Sequence, residues 1–155
     1  MNIPTALSKA ETHLLRQVAR NRLVVEAGAL LGYSTFNLAT TALRVETVDR
    51  FEGYGTPTYN RFMSNLDIYG KGKVVARKGD LPRMKGEMAF LDLTGEEKLT
   101  SLAMATIHSS VHLLLVHDLC RFNCRGVERA IHSQRKWKLV EAVDTIGVLV
   151  CSKDE

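Results

Sequence analysis

Cysteine is sparse and shows no paired spacing. The three cysteines of this 155-residue chain are Cys120, Cys124 and Cys151. An odd count without pairing argues against a disulfide framework and for a reducing compartment, the cytoplasm. Cys120 and Cys124 lack the second thiol pair that would complete a zinc site. No apolar run approaches the roughly 20 residues a membrane span needs. Met1–Ala10 lacks the basic-then-apolar order of a secretory signal. Concentrated charge is missing too. The net charge is +4, and basic residues gather only at Arg121–Arg125 and Arg135–Lys138. A nucleic-acid surface would carry a denser stripe with interleaved aromatics, so these segments read as solvated faces. There is no repeat and no low-complexity segment.

What is present suits one domain. The chain is 45% hydrophobic, enough for a core at this length. Strand-like and helix-like segments alternate, the pattern of a parallel sheet covered by helices. Ser8-Lys9-Ala10-Glu11 reads as a capping box, and Ala10, Leu14, Leu15 and Val18 recur at helical spacing behind it. Short apolar runs predict strands at Leu23–Glu26, Val45–Asp49, Lys73–Arg77, Met88–Asp92 and Val111–Val116. The last of these should be interior, because a strand buried on both faces reads as a continuous apolar run. Helices are expected from about Thr35 to Leu43, after Thr56-Pro57, behind Thr94-Gly95-Glu96-Glu97, and over Gly126–Ser133. Tyr59, Phe62, Met63 and Leu66 share one face of the second of these, which Gly70 and Gly72 end. Trp137–Val143 and Ile146–Cys151, joined by Asp144-Thr145, read as an antiparallel hairpin. The count is seven strands.

Three constellations carry chemistry. The first is the strand, glycine turn and helix start from Val24 to Thr35, with Gly28 and Gly32. Glycine lets a ligand approach the backbone closely, and a helix start adds unpaired N–H groups. In doubly wound sheets nucleotides bind at this place, at the carboxyl ends of the strands. The spacing is neither G-x-G-x-x-G nor a phosphate loop. The second is Asp49, with Arg50 beside it, closing the second strand about twenty residues after the turn. An acid there can accept hydrogen bonds from both ribose hydroxyls. The third is Asp92 with His117 and Asp118. They end strands that should be neighbours, so they should meet at the same sheet edge. Two carboxylates suit magnesium, calcium or manganese, and the imidazole leaves room for a transition metal. Otherwise Asp92 and Asp118 cap loops and reach a cofactor only indirectly.

Glu26-x-Gly28-x-x-x-Gly32-Tyr33-Ser34-Thr35 resembles the first motif of class I S-adenosylmethionine-dependent methyltransferases, especially the small-molecule O-methyltransferases that carry Gly-Tyr-Ser at this turn. The likeness runs from about Leu23 to Cys151. It takes in Thr58–Phe62, Val74-Val75, Gly79-Asp80, Gly126–Ile131, Trp137 and the closing hairpin. It implies a Rossmann-like three-layer α/β sandwich whose seven-stranded sheet is mostly parallel, with the last strand antiparallel. It implies S-adenosylmethionine as cofactor, held by Glu26, Gly28, Gly32, Tyr33, Ser34, Asp49, Arg50, Asp80 and Asp92, with Asp80 near the adenine amino group. The metal-dependent O-methyltransferases hold a divalent ion with an aspartate after the fourth strand and two polar residues after the fifth. Asp92, His117 and Asp118 stand in those places, and they are the implied catalytic and metal-binding residues, magnesium being the implied ion.

This chain departs from that pattern. Asp-Gly-x-His is replaced by Asp92-Leu93-Thr94-Gly95. The glycine pair before the fifth strand becomes His108-Ser109-Ser110. Gly95 stands where catechol-type enzymes place a lysine, and Lys98 is the nearest lysine. Only about twenty residues precede the first strand, so the acceptor pocket is either open or completed by a second copy in a homodimer. The expected function is methyl transfer to a small-molecule acceptor, at oxygen with nitrogen as the alternative, and metal-assisted if the third constellation holds an ion. The rivals are a cofactor-binding module without catalysis and a nucleic-acid methyltransferase. The second of these lacks the Asp/Asn-Pro-Pro-Tyr/Phe motif.

Overall fold

The computed structural model describes residues 1–52, 58–70, 72–79, 85–93, 96–119 and 125–152. Its first helix, α1 (Lys9–Ala19), begins where the capping box predicts. The Ser8 side chain accepts from the Glu11 N–H, and the Glu11 carboxylate accepts from the Ser8 N–H. Then come β1 (Leu23–Ala27), α2 (Tyr33–Ala39), β2 (Arg44–Asp49), α3 (Thr58–Tyr69), β3 (Val74–Lys78) and β4 (Met88–Leu91). They are followed by α4 (Glu97–Thr106), β5 (Leu113–Val116), α5 (Arg125–Ser133), β6 (Trp137–Val143) and β7 (Ile146–Cys151).

The seven strands form one sheet in the order β3-β2-β1-β4-β5-β7-β6. Neighbours from β3 to β5 are parallel, β7 is antiparallel to β5, and β6 is antiparallel to β7. Only β7 therefore runs against the rest. Side chains alternate between the two faces of a strand, and the core divides accordingly. Val25, Ala27, Ala89, Leu91, Leu114 and Val116 pack with Ala103, Met104 and Ile131 of α4 and α5. Val24, Met88, Phe90 and Leu115 pack with Leu15, Ala19 and Leu38 of α1 and α2. A third cluster joins Phe36 and Phe51 to Phe62 of α3, with Tyr59, Met63 and Leu66 against it. That is the face of α3 read from the sequence.

Several boundaries differ from the sequence reading. α2 starts two residues before Thr35, because Gly32 itself is the N-cap, in the left-handed region at φ 93°, and it stops at Ala39 with Thr40 as its C-cap. α4 has Glu96 as its N-cap, with no side-chain hydrogen bond there. The box expected over Thr94–Glu97 therefore does not form, and Thr94 and Gly95 lie outside the described residues. β5 is shorter than expected, since Val111 and His112 precede it. It is interior, between β4 and β7. Cys120, Cys124 and the Thr56-Pro57 helix start lie outside the described residues.

Candidate functional site

Parallel pairing brings four strand ends to one sheet edge. Ala27 pairs with Val48 and Leu91, and Leu91 pairs with Val116. The ladder continues one residue further: the Gly28 N–H donates to Val48 O, Asp92 N–H to Ala27 O, and His117 N–H to Leu91 O. Gly28, Asp49, Asp92 and His117 consequently stand along that edge, each the first residue past its strand or, for Asp49, the last within it.

The turn between β1 and α2 needs its glycines. Gly28 has φ 91°, and a Cβ there would lie 1.8 Å from the Asp92 carbonyl oxygen. At Gly32 a Cβ would lie 2.3 Å from the Phe36 ring. Between them Leu30 also adopts a positive φ, 47°, which is uncommon for a branched side chain. Asp49 holds the turn in that shape. Its Oδ2 accepts from the N–H groups of Ala29 and Leu30, both at 2.8 Å, and its Oδ1 accepts from Phe51 N–H at 2.6 Å. A carboxylate offers about four lone-pair positions, so about one is left, on Oδ1.

A cavity of about 920 Å³ opens on this turn. Its walls include Gly28, Tyr33, Asp49, Arg50 and Gly79, and also Asp92, His117 and Asp118. Leu93, Leu99 and Leu102 add an apolar side, and Pro4–Ala6 of the N-terminal segment also line it. Lys98 does not line it and is exposed.

Glu26 and Ser34 are placed elsewhere. In β1 the alternation that sends Val25 and Ala27 toward α4 sends Glu26 toward α2. There it is wholly buried behind the turn, and its Oε2 accepts from the Thr35 hydroxyl at 2.5 Å. Its Oε1 is buried without a hydrogen-bond partner among the described residues. Burial raises its pKa to about 7, against the lowering effect of the Ser34, Thr35 and Thr47 hydroxyls, with the Asp92 charge adding to the rise. Ser34 is buried beside it and does not line the cavity. Neither side chain lines the cavity. Asp80 lies outside the described residues, although Gly79 before it lines the cavity.

Asp92, His117 and Asp118 come together. One ligand atom from each lies within 4.8 Å of the others. His117 Nδ1 is 2.9 Å from Asp92 Oδ1 and 3.4 Å from Asp118 Oδ1. Asp118 has φ 66°, an unusual backbone conformation outside glycine of the kind that gathers at functional sites. Burial would lower the His117 pKa, but the hydrogen bond to Asp92 and the charges of Asp92, Asp118 and Glu11 outweigh it and raise the value.

Glu11 was missed in the sequence, where it appeared only as part of a helix cap. Its side chain is buried. Besides Ser8 N–H, it accepts from both the N–H and the hydroxyl of Thr145, at 2.7 and 2.6 Å. Its Oε1 stands 3.9 Å from His117 Nε2. Burial would raise its pKa, but the Thr145 hydroxyl, the Ser8 and Thr145 amides and His117 outweigh it and lower the value.

No family model matches the sequence, and no curated protein matches it. Solved structures do match in shape. The cofactor-bound protein Rv0187 from MTB superposes with a TM-score of 0.73 at 18% identity, over 99% of this chain and 85% of that one. The ribosomal protein L11 methylase from Lactobacillus delbrueckii subsp. bulgaricus gives 0.68 at 14% identity, over 92% and 77%. The O-methyltransferase TomG from Streptomyces achromogenes, solved with S-adenosylmethionine, gives 0.64 at 17% identity, over 94% and 81%. The chain has the Rossmann-like methyltransferase fold. Among the described helices none is long and apolar enough to cross a membrane.

Proposed function

We propose that this protein transfers a methyl group from S-adenosylmethionine to an oxygen of a small-molecule acceptor, with a divalent cation at Asp92, His117 and Asp118. The observation that carries this reading is one cavity lined both by the glycine turn with Asp49 and by the Asp92–His117–Asp118 cluster. Its volume of about 920 Å³ lies at the upper end of the range for ligand pockets. Similar folds are solved with a cofactor bound and, in TomG, with S-adenosylmethionine itself. Similar folds also include a methylase of a ribosomal protein. A small acceptor is favoured here by the apolar wall of Leu93 and Leu99 beside the two carboxylates.

Gly28 and Tyr33, with Asp49 and Arg50, would hold the cofactor. Asp49 Oδ1 keeps room for about one donated hydrogen bond, so the second ribose hydroxyl must displace a turn amide. Asp80 would face the adenine. Glu26, Gly32 and Ser34 would act from behind, setting the turn without touching the ligand. The cofactor supplies a methyl group already activated by its sulfonium, which leaves positioning as the protein's main task. The acceptor oxygen forms its bond to the methyl carbon as the carbon–sulfur bond breaks, and S-adenosylhomocysteine leaves. The donor set, two carboxylates and one imidazole, fits magnesium or manganese. Such a cation would make the acceptor hydroxyl more acidic. That proton would pass to bulk water as the oxygen is methylated, while Asp92, His117 and Asp118 hold the cation and Leu93 and Leu99 form the apolar wall beside the acceptor.

Calorimetry with S-adenosylhomocysteine and with NAD tests the cofactor reading. Only the former should bind, and Asp49→Ala should weaken it by about tenfold, as expected for a lost charge-assisted hydrogen bond. NAD binding as tightly would overturn the assignment. Turnover of hydroxylated acceptors with and without magnesium tests the reaction. Cofactor binding with no turnover in either condition would favour a binding module.

A further inference from the structure

His117 has a front and a back. Its Nδ1 faces Asp92 and Asp118 beside the cavity. Its Nε2 is buried and has no hydrogen-bond partner among the described residues. The acceptor group facing that nitrogen is Glu11 Oε1, at 3.9 Å. This is too long for a hydrogen bond, so the carboxylate acts there as a charge. Glu11 does not line the cavity.

A buried carboxylate needs a reason for its place. Glu11 is 1% exposed, and burying a charge is costly unless it is paired. Three donors hold it: the Ser8 N–H, the Thr145 N–H and the Thr145 hydroxyl. Thr145 in turn accepts from Leu119 N–H through its carbonyl at 2.8 Å, two residues beyond His117. The Ser8 hydroxyl donates to Asp144 at 2.5 Å. The start of α1, the turn between β6 and β7, and the segment after β5 are thus clamped around the back of one imidazole.

From this geometry we propose that Glu11 is a positioning residue for His117, fixing which ring nitrogen faces the cavity and supporting the hydrogen on the other. The proposal rests on the cation reading above. A cation that takes the Nδ1 lone pair leaves the ring hydrogen on Nε2. That hydrogen points into dry protein, where an unopposed N–H is costly. A carboxylate hydrogen-bonded behind a ligating imidazole orients the ring and strengthens it as a ligand, and its loss weakens metal affinity by about 10–100-fold; at 3.9 Å the Glu11 charge gives support at the lower end of that range. The charge at Glu11 is set where that support is required.

The test is calorimetric titration with manganese alone, with no acceptor or methyl donor present. Glu11→Gln keeps the shape and removes the charge. Ser8→Ala removes the helix cap and the Asp144 contact but leaves the Glu11 carboxylate. Glu11→Gln should weaken manganese binding by about tenfold or more. Ser8→Ala should lower the melting temperature while leaving affinity within about twofold. Equal affinity in Glu11→Gln and the parent protein overturns the proposal, as does an equal loss in Ser8→Ala. Asp92→Ala tests the underlying cation reading separately, since it should abolish binding. If the parent protein binds no manganese, the cation reading falls, and the ¹⁵N shifts of the His117 ring decide on Glu11. They should move in Glu11→Gln and stay in Ser8→Ala; unmoved shifts in Glu11→Gln sink the proposal.

Discussion

Gly28 and Gly72 both have positive φ, 91° and 68°, but their surroundings differ. A Cβ at Gly28 would collide with the Asp92 backbone, whereas one at Gly72 would meet nothing within 4 Å. Backbone oxygen cannot move aside as a side chain can. Gly72→Ala should therefore cost only the backbone penalty, about 1–2 kcal/mol. Gly28→Ala should cost more than about 4 kcal/mol, with loss of cofactor binding in whatever folds. Urea denaturation of the two variants side by side checks this, and a similar midpoint for both would refute it. The same close approach sets the ends of β1 and β4 side by side at the mouth of the cavity.

At the scale of elements, the sheet rests on strands that cannot lose volume. Phe90 of β4 is fully buried among residues from both neighbouring strands and α1. Phe90→Ala should destabilise by about 3–5 kcal/mol, read as a shift in urea midpoint with an unchanged slope. Strand existence and order of appearance were legible because each run of branched and apolar residues is short and bounded. The juxtaposition of Asp92 with His117 and Asp118 was legible for the same reason, since each follows directly on such a run. Helix starts were less so. α2 begins at Tyr33 because a left-handed Gly32 takes the cap position, and apolar periodicity carries no sign of that. The direction of Glu26 was hidden as well. Its place in the motif suggested a ligand contact, but the pleat of β1 turns it toward Thr35. Glu11 was out of reach of local pattern altogether, because its partner Thr145 lies 134 residues away.

For the whole molecule, Glu26 makes stability depend on pH. Its folded pKa, about 7, stands above the ordinary 4.5, so the folded state binds this proton more tightly than the unfolded one. Its contribution is complete below about pH 4.5. It is lost as pH rises through 7, where a buried carboxylate must be carried. The full excursion is about 3 kcal/mol by linkage. The urea midpoint should fall between pH 5 and pH 8 in the parent protein, and Glu26→Gln should flatten much of that fall. Parallel profiles for the two proteins would show that Glu26 ionises as freely as an exposed carboxyl.

The clamp at the back of His117 also bears on how the chain comes together during synthesis. α1 leaves the ribosome well before the closing hairpin, so its buried acid has no donor from the β6–β7 turn until Thr145 has followed. Through most of translation Glu11 is an unsheltered charge, and the sheet edge beside it can take its final shape only once the closing hairpin arrives. A nascent chain stalled before that hairpin should therefore lack the support behind His117 and hold a cation about tenfold more weakly than the finished protein.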